Sequence, residues 1–190
     1  MDTISEIPLP VVSIITVTCQ SGELIERTIA SVLEQSYPNI EYIVIDGAST
    51  DDTREIICRY AVKIACFVSE PDNGIYHAMN KGISKATGDY LWFLNAGDTI
   101  YRKDTVEQMI RTCISDNNLP DIIYGQTALT NRAGEFLRMR RLKAPKTLSW
   151  KSFKMGMLVC HQSFVVKREI APEYDLNTAT RPILTGLFAA

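Results

Sequence analysis

The stretch VVSIITVTCQSGELIERTIASVLEQSYPNIEYIVID, from Val11 to Asp46, decides the fold class of this chain. Its first part, residues 11–18, is short and rich in β-branched residues, which is typical of a buried strand. Ser21 then offers an N-cap, and apolar residues follow at i, i+4, i+7 and i+8, the spacing of one helix face. A second apolar run, from Ile40 to Asp46, predicts another strand. A strand, a helix and a strand in this order form a βαβ unit.

The same alternation continues along the chain. Ser49 and Asp52 resemble a capping box, which predicts a helix through about Tyr60. Two apolar segments flank the turn NRAG and predict a hairpin. The other predicted elements are strands at 64–69, 90–94 and 158–167, a helix at 76–85 ended by Gly88, a helix marked by Val106, Met109, Ile110, Cys113 and Ile114, and hairpin segments at 121–129 and 135–142.

Repeated strand–helix units predict an α/β domain with a mostly parallel sheet flanked by helices. Ligands of such sheets bind at the carboxyl ends of the strands. Polar side chains follow four consecutive predicted strands, so we expect them to meet at one edge of the sheet: Thr18, Asp46, Glu70 with Asp72, and Asn95 with Asp98.

Composition predicts the compartment of the protein. The 190 residues carry a net charge of -2, so the overall charge of the protein does not attract a nucleic acid. Five cysteines without a CxxC pair are predicted to be reduced. The N-terminus lacks a signal peptide, and no apolar run approaches the ~20 residues that span a bilayer. We therefore expect a cytoplasmic protein, which contacts the inner face of a membrane only peripherally or through a partner.

Several motifs that define enzyme classes do not occur in the sequence. There is no P-loop, no Gly-x-Gly-x-x-Gly after the first predicted strand and no Gly-x-Ser-x-Gly elbow. Their absence argues against P-loop NTPases, dinucleotide-binding Rossmann enzymes and α/β-hydrolases. His77 and His161 lie too far apart in the sequence to predict a metal-binding pair.

One segment is basic and contains no acidic residue. An exposed loop surface, an anionic ligand, an acidic acceptor and a membrane surface are all compatible with it. Its cationic residues are Arg138, Arg140, Arg141, Lys143, Lys146, Lys151 and Lys154.

The sequence FLNAGD, Phe93 to Asp98, ends a predicted strand with an amide, two small residues and a carboxylate. Mg²⁺ and Mn²⁺ prefer carboxylate oxygens together with phosphate oxygens. Small residues at 96 and 97 allow a sugar-diphosphate to approach the backbone. The pattern therefore predicts a metal-held diphosphate at Asp98. The alternative is that Asp98 caps the next helix.

Other polar residues at this edge admit two interpretations each. Asp46 either accepts a hydrogen bond from the imide of a base such as uracil or forms an Asx turn. Lys81 either reaches a phosphate or is an exposed helix lysine. Glu70 and Asp72 flank a proline and are also compatible with a solvated loop.

Three ordered blocks of the sequence form one recognisable pattern. The blocks are VSIITVTCQSGELIERTIASVLEQSYPNIEYIVIDGASTDDT, SEPDNGIYHAMNKGISKATGDYLWFLNAGD and CHQSFVVKR. Together they resemble the family 2 glycosyltransferases, bacterial enzymes with the Rossmann-like GT-A fold of nucleotide-diphospho-sugar transferases. The resemblance covers roughly residues 10 to 176 and implies a mixed, mostly parallel sheet flanked by helices in a single domain, 1–190.

The resemblance implies a role for each matching residue. Asn95 and Asp98 stand where the family usually has an Asp-x-Asp-type motif, so Asp98 would bind Mg²⁺ or Mn²⁺ while the amide of Asn95 replaces an acid. The other implied roles are nucleotide binding by the Thr18 backbone, base binding by Asp46, nucleotide-sugar contacts by Asp72, Asn80 and Lys81, and acceptor contacts by His161 and Gln162. For His161, a satisfied histidine on a strand is the alternative.

The implied reaction is transfer of a sugar to a hydroxyl group with inversion, which needs a carboxylate base. The family places this base after the segment that contains His161. This chain departs from the pattern, because Glu169, Glu173 and Asp175 are its last carboxylates and none fits the position. The catalytic base is therefore unknown. We expect the acceptor part to be truncated or altered after about residue 176.

The resemblance also implies the partners. The donor would be a nucleotide-diphosphate sugar, with a UDP-sugar most expected, and the acceptor a glycan or lipid-linked glycan of cell-surface polysaccharide assembly. A homodimer and peripheral membrane association are left open. Two alternatives remain: a catalytically impaired nucleotide-sugar-binding domain, and a nucleotidyltransferase, although the sequence TCQSGE lacks the Gly-rich, Arg/Lys-containing signature of the latter.

Overall fold

The computed structural model describes residues 8–113, 119–153 and 158–176. Eight strands occur in these ranges, and six of them form the main sheet. The strands are β1 (Val12–Thr18), β2 (Ile40–Asp46), β3 (Cys66–Ser69), β4 (Tyr90–Phe93), β5 (Ile122–Tyr124), β6 (Ala128–Thr130), β7 (Phe136–Met139) and β8 (Phe164–Lys167).

The main sheet has the order β3-β2-β1-β4-β8-β5. Strands β1 to β4 are parallel, whereas β8 runs antiparallel between β4 and β5. The described helices are α1 (Gly22–Leu33), α2 (Thr53–Arg59), α3 (Ile75–Lys85) and α4 (Thr105–Cys113). The prediction of a mixed, mostly parallel α/β sheet flanked by helices is confirmed.

Strand β1 lies at the centre of the fold, and all seven of its residues are buried. Val12 and Ile14 belong to a cluster that includes residues of α1, α2 and α4, while Ile15 and Val17 pack with residues of α3. Because helices cover both faces, the strand carries apolar residues on both sides instead of alternating with polar ones. This explains why the apolar residues of β1 do not follow a strict alternation in the sequence.

Of the predicted helix ends, Ser21 at the N-cap of α1 is confirmed, whereas Ser49 and Gly88 do not end a helix. Ser49 does not cap α2; its hydroxyl bonds Asp46, and the helix begins at Thr53. Ser21 occupies the N-cap of α1, but its hydroxyl donates to the carbonyl of Cys19. Helix α3 ends at Lys85, and Gly88 lies in the turn before β4. For Ser49, a local hydrogen bond to a residue three positions earlier replaces the predicted helix cap.

The strand predictions in the second half need two corrections. Segment 121–129 holds two strands, because β5 joins the main sheet and only β6 forms the predicted hairpin with β7. Segment 158–167 is a strand only from Phe164, since His161–Ser163 form a 3-10 turn. Ile114, Lys154 and the residues after 176 lie outside the described ranges. None of the described helices is both long and apolar enough to span a bilayer.

Helix α3 packs on β1 through a glycine. A Cβ at Gly82 would overlap with Cγ2 of Ile15, a fully buried β-branched residue. We predict that Gly82→Ala lowers the free energy of unfolding, because overpacking costs about 1–3 kcal/mol and alanine returns at most about 1 kcal/mol in helix propensity. Urea denaturation measures the change. Gly125→Ala is the matched control, since a Cβ there meets nothing within 4 Å; equal stability of the two variants would contradict the prediction.

Candidate functional site

The carboxyl ends of β1, β2 and β4 meet at one edge of the sheet, as predicted. Thr18 and Asp46 are register partners, and the Gly47 N–H donates to the Thr18 carbonyl over 2.9 Å. The chain after β4 follows β1, because the Ala96 N–H donates to the carbonyl of Val17 over 3.2 Å. Three backbone segments with polar side chains therefore lie side by side.

Asp46 is fully buried at this edge. Its carboxylate accepts hydrogen bonds from the backbone N–H and the hydroxyl of Ser49, and from the hydroxyl of Ser69 at 2.6 Å. These bonds hold a tight loop in which Ala48 has a φ of 55°. The Asx-turn interpretation therefore describes the geometry of Asp46, and base binding by its side chain stays a prediction.

The loop after β3 lies against the loop after β2. Asp72 accepts the N–H of Gly74 over 2.8 Å, and its other carboxylate oxygen lies 2.6 Å from where a Cβ would stand on Gly47. Glycine at position 47 therefore makes room for this carboxylate. The nucleotide-sugar contact assigned to Asp72 stays a prediction.

Lys81 is mostly buried, so the interpretation as an exposed helix lysine is wrong. Its side chain is 16% exposed, and its ammonium lies 2.9 Å from the carboxylate of Glu70. It also donates to the carbonyl of Pro71 over 2.9 Å. This bond and charge lower the pKa of Glu70. Lys81 thus holds the loop after β3 in place, and contact with a phosphate stays a prediction.

Asn80 ties α3 to the end of the described chain. Its amide nitrogen donates to the carbonyl of Tyr174 over 2.8 Å, and its amide oxygen accepts the Tyr174 N–H over 2.7 Å. Both polar atoms of the side chain are therefore engaged with one backbone residue. The structure gives Asn80 a clamping role that the sequence did not indicate.

The turn after β4 contains both predicted metal ligands. The Asp98 N–H donates to the Asn95 carbonyl over 3.0 Å, and Gly97 has a φ of 98°, which favours glycine. Helix α4 begins only at Thr105, so Asp98 does not cap it. That alternative is wrong.

Helix α1 holds this turn through two residues that the sequence analysis missed. The hydroxyl of Thr28 donates to the Asp98 carbonyl over 2.8 Å and accepts the Gly97 N–H over 2.9 Å. Arg27 donates to the Gly97 carbonyl over 3.3 Å. A signal existed for Thr28, because it lies beside Ile29 on the apolar face of α1, where a hydroxyl needs a partner.

Asp98 and Asn95 present oxygen atoms whose environment favours a cation. Burial raises the pKa of the Asp98 carboxyl, while a hydrogen bond from Gln162 and the charge of Arg27 act in the opposite direction. The amide oxygen of Asn95 is buried without a hydrogen-bond partner in the described part of the chain. Such an atom costs about 1–3 kcal/mol unless a ligand satisfies it. Carboxylate and amide oxygens suit Mg²⁺ or Mn²⁺, so these residues fit a divalent ion.

Within the described ranges, no group of three or more His, Cys, Asp or Glu residues is arranged to hold a metal by itself.

Gln162 lies in the turn before β8, on the same side of the sheet as Asp98. Its side-chain oxygen accepts the thiol of Cys160 over 2.8 Å. The indole N–H of Trp92 donates to the Gln162 carbonyl over 2.8 Å. The residue assigned to the acceptor side thus lines the same cavity as the predicted metal ligand, which the sequence did not reveal.

His161 stands on the opposite side of this turn in an aromatic cluster. Its Nε2 lies 2.8 Å from the hydroxyl of Tyr174, and its ring stacks on Phe93 with centroids 5.5 Å apart. Burial lowers the pKa of His161 to about 4 and raises that of Tyr174. This geometry favours the alternative of a satisfied histidine, which lies in a 3-10 turn and not on a strand. An acceptor contact by His161 stays a prediction.

A cavity of about 530 Å³ opens beside Asp98 between the main sheet, α4 and the β6–β7 hairpin. Its volume is typical of small-ligand pockets. Polar groups of Asp98, Gln162 and Ser163 line part of it, and the apolar walls include Trp92, Leu94, Met109, Ile123 and Phe136.

None of the last carboxylates in the described ranges has the environment of a catalytic base. Glu169 is exposed and lies 4.0 Å from Lys167, and Glu173 and Asp175 are exposed. The catalytic base remains unassigned.

The hydroxyl of Thr28 generates a stability prediction. Thr28→Val keeps the side-chain shape but leaves the Gly97 N–H without its partner, so we expect a loss of about 1–3 kcal/mol in the free energy of unfolding. Urea denaturation measures it. Thr112→Val is the matched control, because that hydroxyl bonds a helix carbonyl at the surface, and we expect a change within about 0.5 kcal/mol. A loss no greater for Thr28 than for Thr112 would refute the role given to Thr28.

The buried ring of His161 generates a pH prediction. The unfolded chain binds a proton near pH 6.5 and the folded chain near pH 4, so stability falls as pH decreases through this window. An NMR titration of the ring should show a midpoint near 4. Tyr174→Phe removes the hydroxyl partner but keeps the ring buried, so the midpoint should stay well below 6.5. A wild-type midpoint near 6.5 would contradict the burial.

Known proteins resemble this chain in sequence over most of its length. The family described as Glycosyl transferase family 2 matches residues 13–174. An uncharacterised glycosyltransferase of Mycobacterium tuberculosis is 34% identical over 174 residues, which is 88% of this chain and 64% of the relative. The chain thus spans less than two thirds of that relative's length.

Two solved structures share the fold over part of the chain. A mannosyltransferase of Pyrobaculum calidifontis, PcManGT, in complex with GDP-Man and Mn²⁺, is 30% identical with a TM-score of 0.52, covering 56% of this chain and 33% of its own. TarS of S. aureus, in complex with UDP-GlcNAc, is 25% identical with a TM-score of 0.50. The match covers 59% of this chain and 33% of the TarS chain. The match over most of the chain, together with this GT-A architecture, shows that the chain belongs to glycosyltransferase family 2.

Proposed function

We propose that this chain binds a nucleotide-diphosphate sugar with Mg²⁺ or Mn²⁺ and transfers the sugar to a hydroxyl acceptor with inversion. One observation carries the proposal: the buried, unpartnered amide oxygen of Asn95 lies in the same turn as Asp98, whose carboxyl is partly buried and has a raised pKa. A bound cation would give the amide oxygen a partner, and its charge would stabilise the ionised form of the carboxylate.

The donor would lie along the carboxyl ends of β1, β2 and β4. Thr18 has a buried hydroxyl without a hydrogen-bond partner among the described residues, which supports a ligand contact at the end of β1. Asp46, through Ser49 and Ser69, would keep the loop after β2 shaped for the base. The donors of the two solved relatives carry guanine and uracil, so we keep a UDP-sugar as the expected donor and test GDP beside it.

The ion would be held by Asp98 and Asn95. Bound there, it would act as a Lewis acid that neutralises charge on the departing diphosphate. Gln162 would keep the Asp98 carboxylate oriented, since the thiol of Cys160 fixes its amide oxygen and Gln162 and Asp98 line the same cavity. Thr28 would keep the backbone of the turn in place.

The acceptor would be a hydroxyl of a glycan or lipid-linked glycan, as in cell-surface polysaccharide assembly on the cytoplasmic face of a membrane. The cavity beside Asp98 offers a space for it next to the departing diphosphate. The mixed lining of this cavity suits an acceptor with both polar and apolar parts.

A second function is favoured by one observation. The exposed Glu169, Glu173 and Asp175 leave the base unassigned, so a nucleotide-sugar-binding domain with impaired transfer is the alternative. A turnover assay with donor sugar and Mn²⁺ separates the two. Release of nucleotide that rises with added glycan acceptor supports transfer, whereas tight donor binding without release supports the alternative.

Donor binding is tested by calorimetry with UDP and with GDP, each with Mn²⁺. We predict that Asp98→Ala and Asn95→Ala each weaken binding by at least about tenfold, because each removes a charged or otherwise unpartnered oxygen donor. Glu55→Ala is the matched control, since its exposed pair with Arg59 lies on α2 and contributes little. No binding of either nucleotide by the wild type, or undiminished binding by Asp98→Ala, would sink the proposal.

A further inference from the structure

We propose that the β6–β7 hairpin and the segment after it dock on an anionic lipid bilayer. We call residues 128–146 the basic arm. Its cations were singled out in the sequence but have no part in the proposed donor site. The inference does not depend on the transfer activity.

The basic arm exposes large apolar side chains. The exposed fractions are 57% for Phe136, 60% for Leu137, 44% for Met139 and 45% for Leu142. All four residues of β7 are exposed, and its described strand partner is β6 alone. Phe136 also lines the cavity beside Asp98, whereas Leu137, Met139 and Leu142 are exposed outside it and mark an interaction surface.

Basic side chains alternate with these apolar ones. Arg138, Arg141 and Lys143 are exposed, and no ion pair joins them to an acidic group in the described ranges. The sequence contains no Asp or Glu from position 136 to 168. The surface therefore complements a negatively charged partner.

The mixture of groups favours a bilayer over other occupants. At an anionic membrane, exposed Leu and Met side chains insert between lipid headgroups while neighbouring Arg and Lys contact the phosphates. A second copy of the chain is disfavoured, because a two-fold interface brings each patch against its own equivalent and would oppose like charges.

The attachment of the basic arm links it to the turn that holds Asp98. Arg27 donates to the carbonyl of Arg132 at the hairpin tip over 3.0 Å and also to the carbonyl of Gly97. Arg132 in turn pairs with Glu23 of α1. A membrane bound by the basic arm would therefore lie near the cavity beside Asp98, which the arm helps to line.

The test is co-sedimentation of the full chain with vesicles of phosphatidylcholine alone or mixed equally with phosphatidylglycerol. We expect binding to the anionic vesicles only, and weaker binding at high salt. Replacing Arg138, Arg141 and Lys143 together by Gln should lower the partition coefficient roughly a hundredfold. Leu137→Ser with Met139→Ser should lower it at least about tenfold. These side chains are exposed, so neither variant removes core packing.

The matched control replaces Arg54, Lys63 and Lys85 together by Gln, three exposed cations outside the basic arm. Binding that this control retains and both arm variants lose supports the proposal. Absence of binding to anionic vesicles, equal binding by wild type and arm variants, or loss in the control as large as in the arm variants would overturn it. Light scattering that shows a dimer which the arm variants convert to a monomer would also overturn it, in favour of self-association.

Discussion

The candidate site depends on one buried hydroxyl group. Helix α1 packs on the central strand through Ile25, Ile29 and Val32, and Thr28 lies on the same buried face. With two hydrogen bonds this hydroxyl binds both the N–H of Gly97 and the carbonyl of Asp98. Core packing therefore determines where the Asp98 turn lies. A residue far from the protein surface sets the geometry of a site at the sheet edge.

Several residues that the sequence suggested for ligand contacts also shape the loops of the site. Asp46 organises the loop after β2, and Lys81 organises the loop after β3. The physical reason is common to both. A polar group that is largely buried at this edge must be satisfied in the absence of ligand, and nearby loop atoms are available to do so. Asn95 and Thr18 differ, because each keeps a buried oxygen without a partner in the described part of the chain.

The two halves of the described chain meet at the turn before β8. Gln162 lines the cavity beside Asp98 on one side, while His161 packs against Tyr174 and Phe93 on the other. The side chain of Asn80 on α3 forms two hydrogen bonds with the backbone of Tyr174. Helix α3 therefore helps to hold this turn. Donor and acceptor parts of the proposed site are thus joined by hydrogen bonds, and the basic arm is joined to the same region through Arg27.

The sequence by itself determined the fold class, the strands β1, β2 and β4, and the gathering of polar residues at one edge, because apolar periodicity and strand order are local properties of the chain. It placed Asp98 in a turn after a strand, and the family resemblance supplied the expected chemistry. Only the tertiary structure decided which partner each polar group takes. Thr28 binds the Asp98 turn from 70 residues away in the sequence, and Asn80 binds Tyr174 from 94 residues away. Hydrogen bonds between distant residues leave no periodic trace in a sequence, whereas buried faces do.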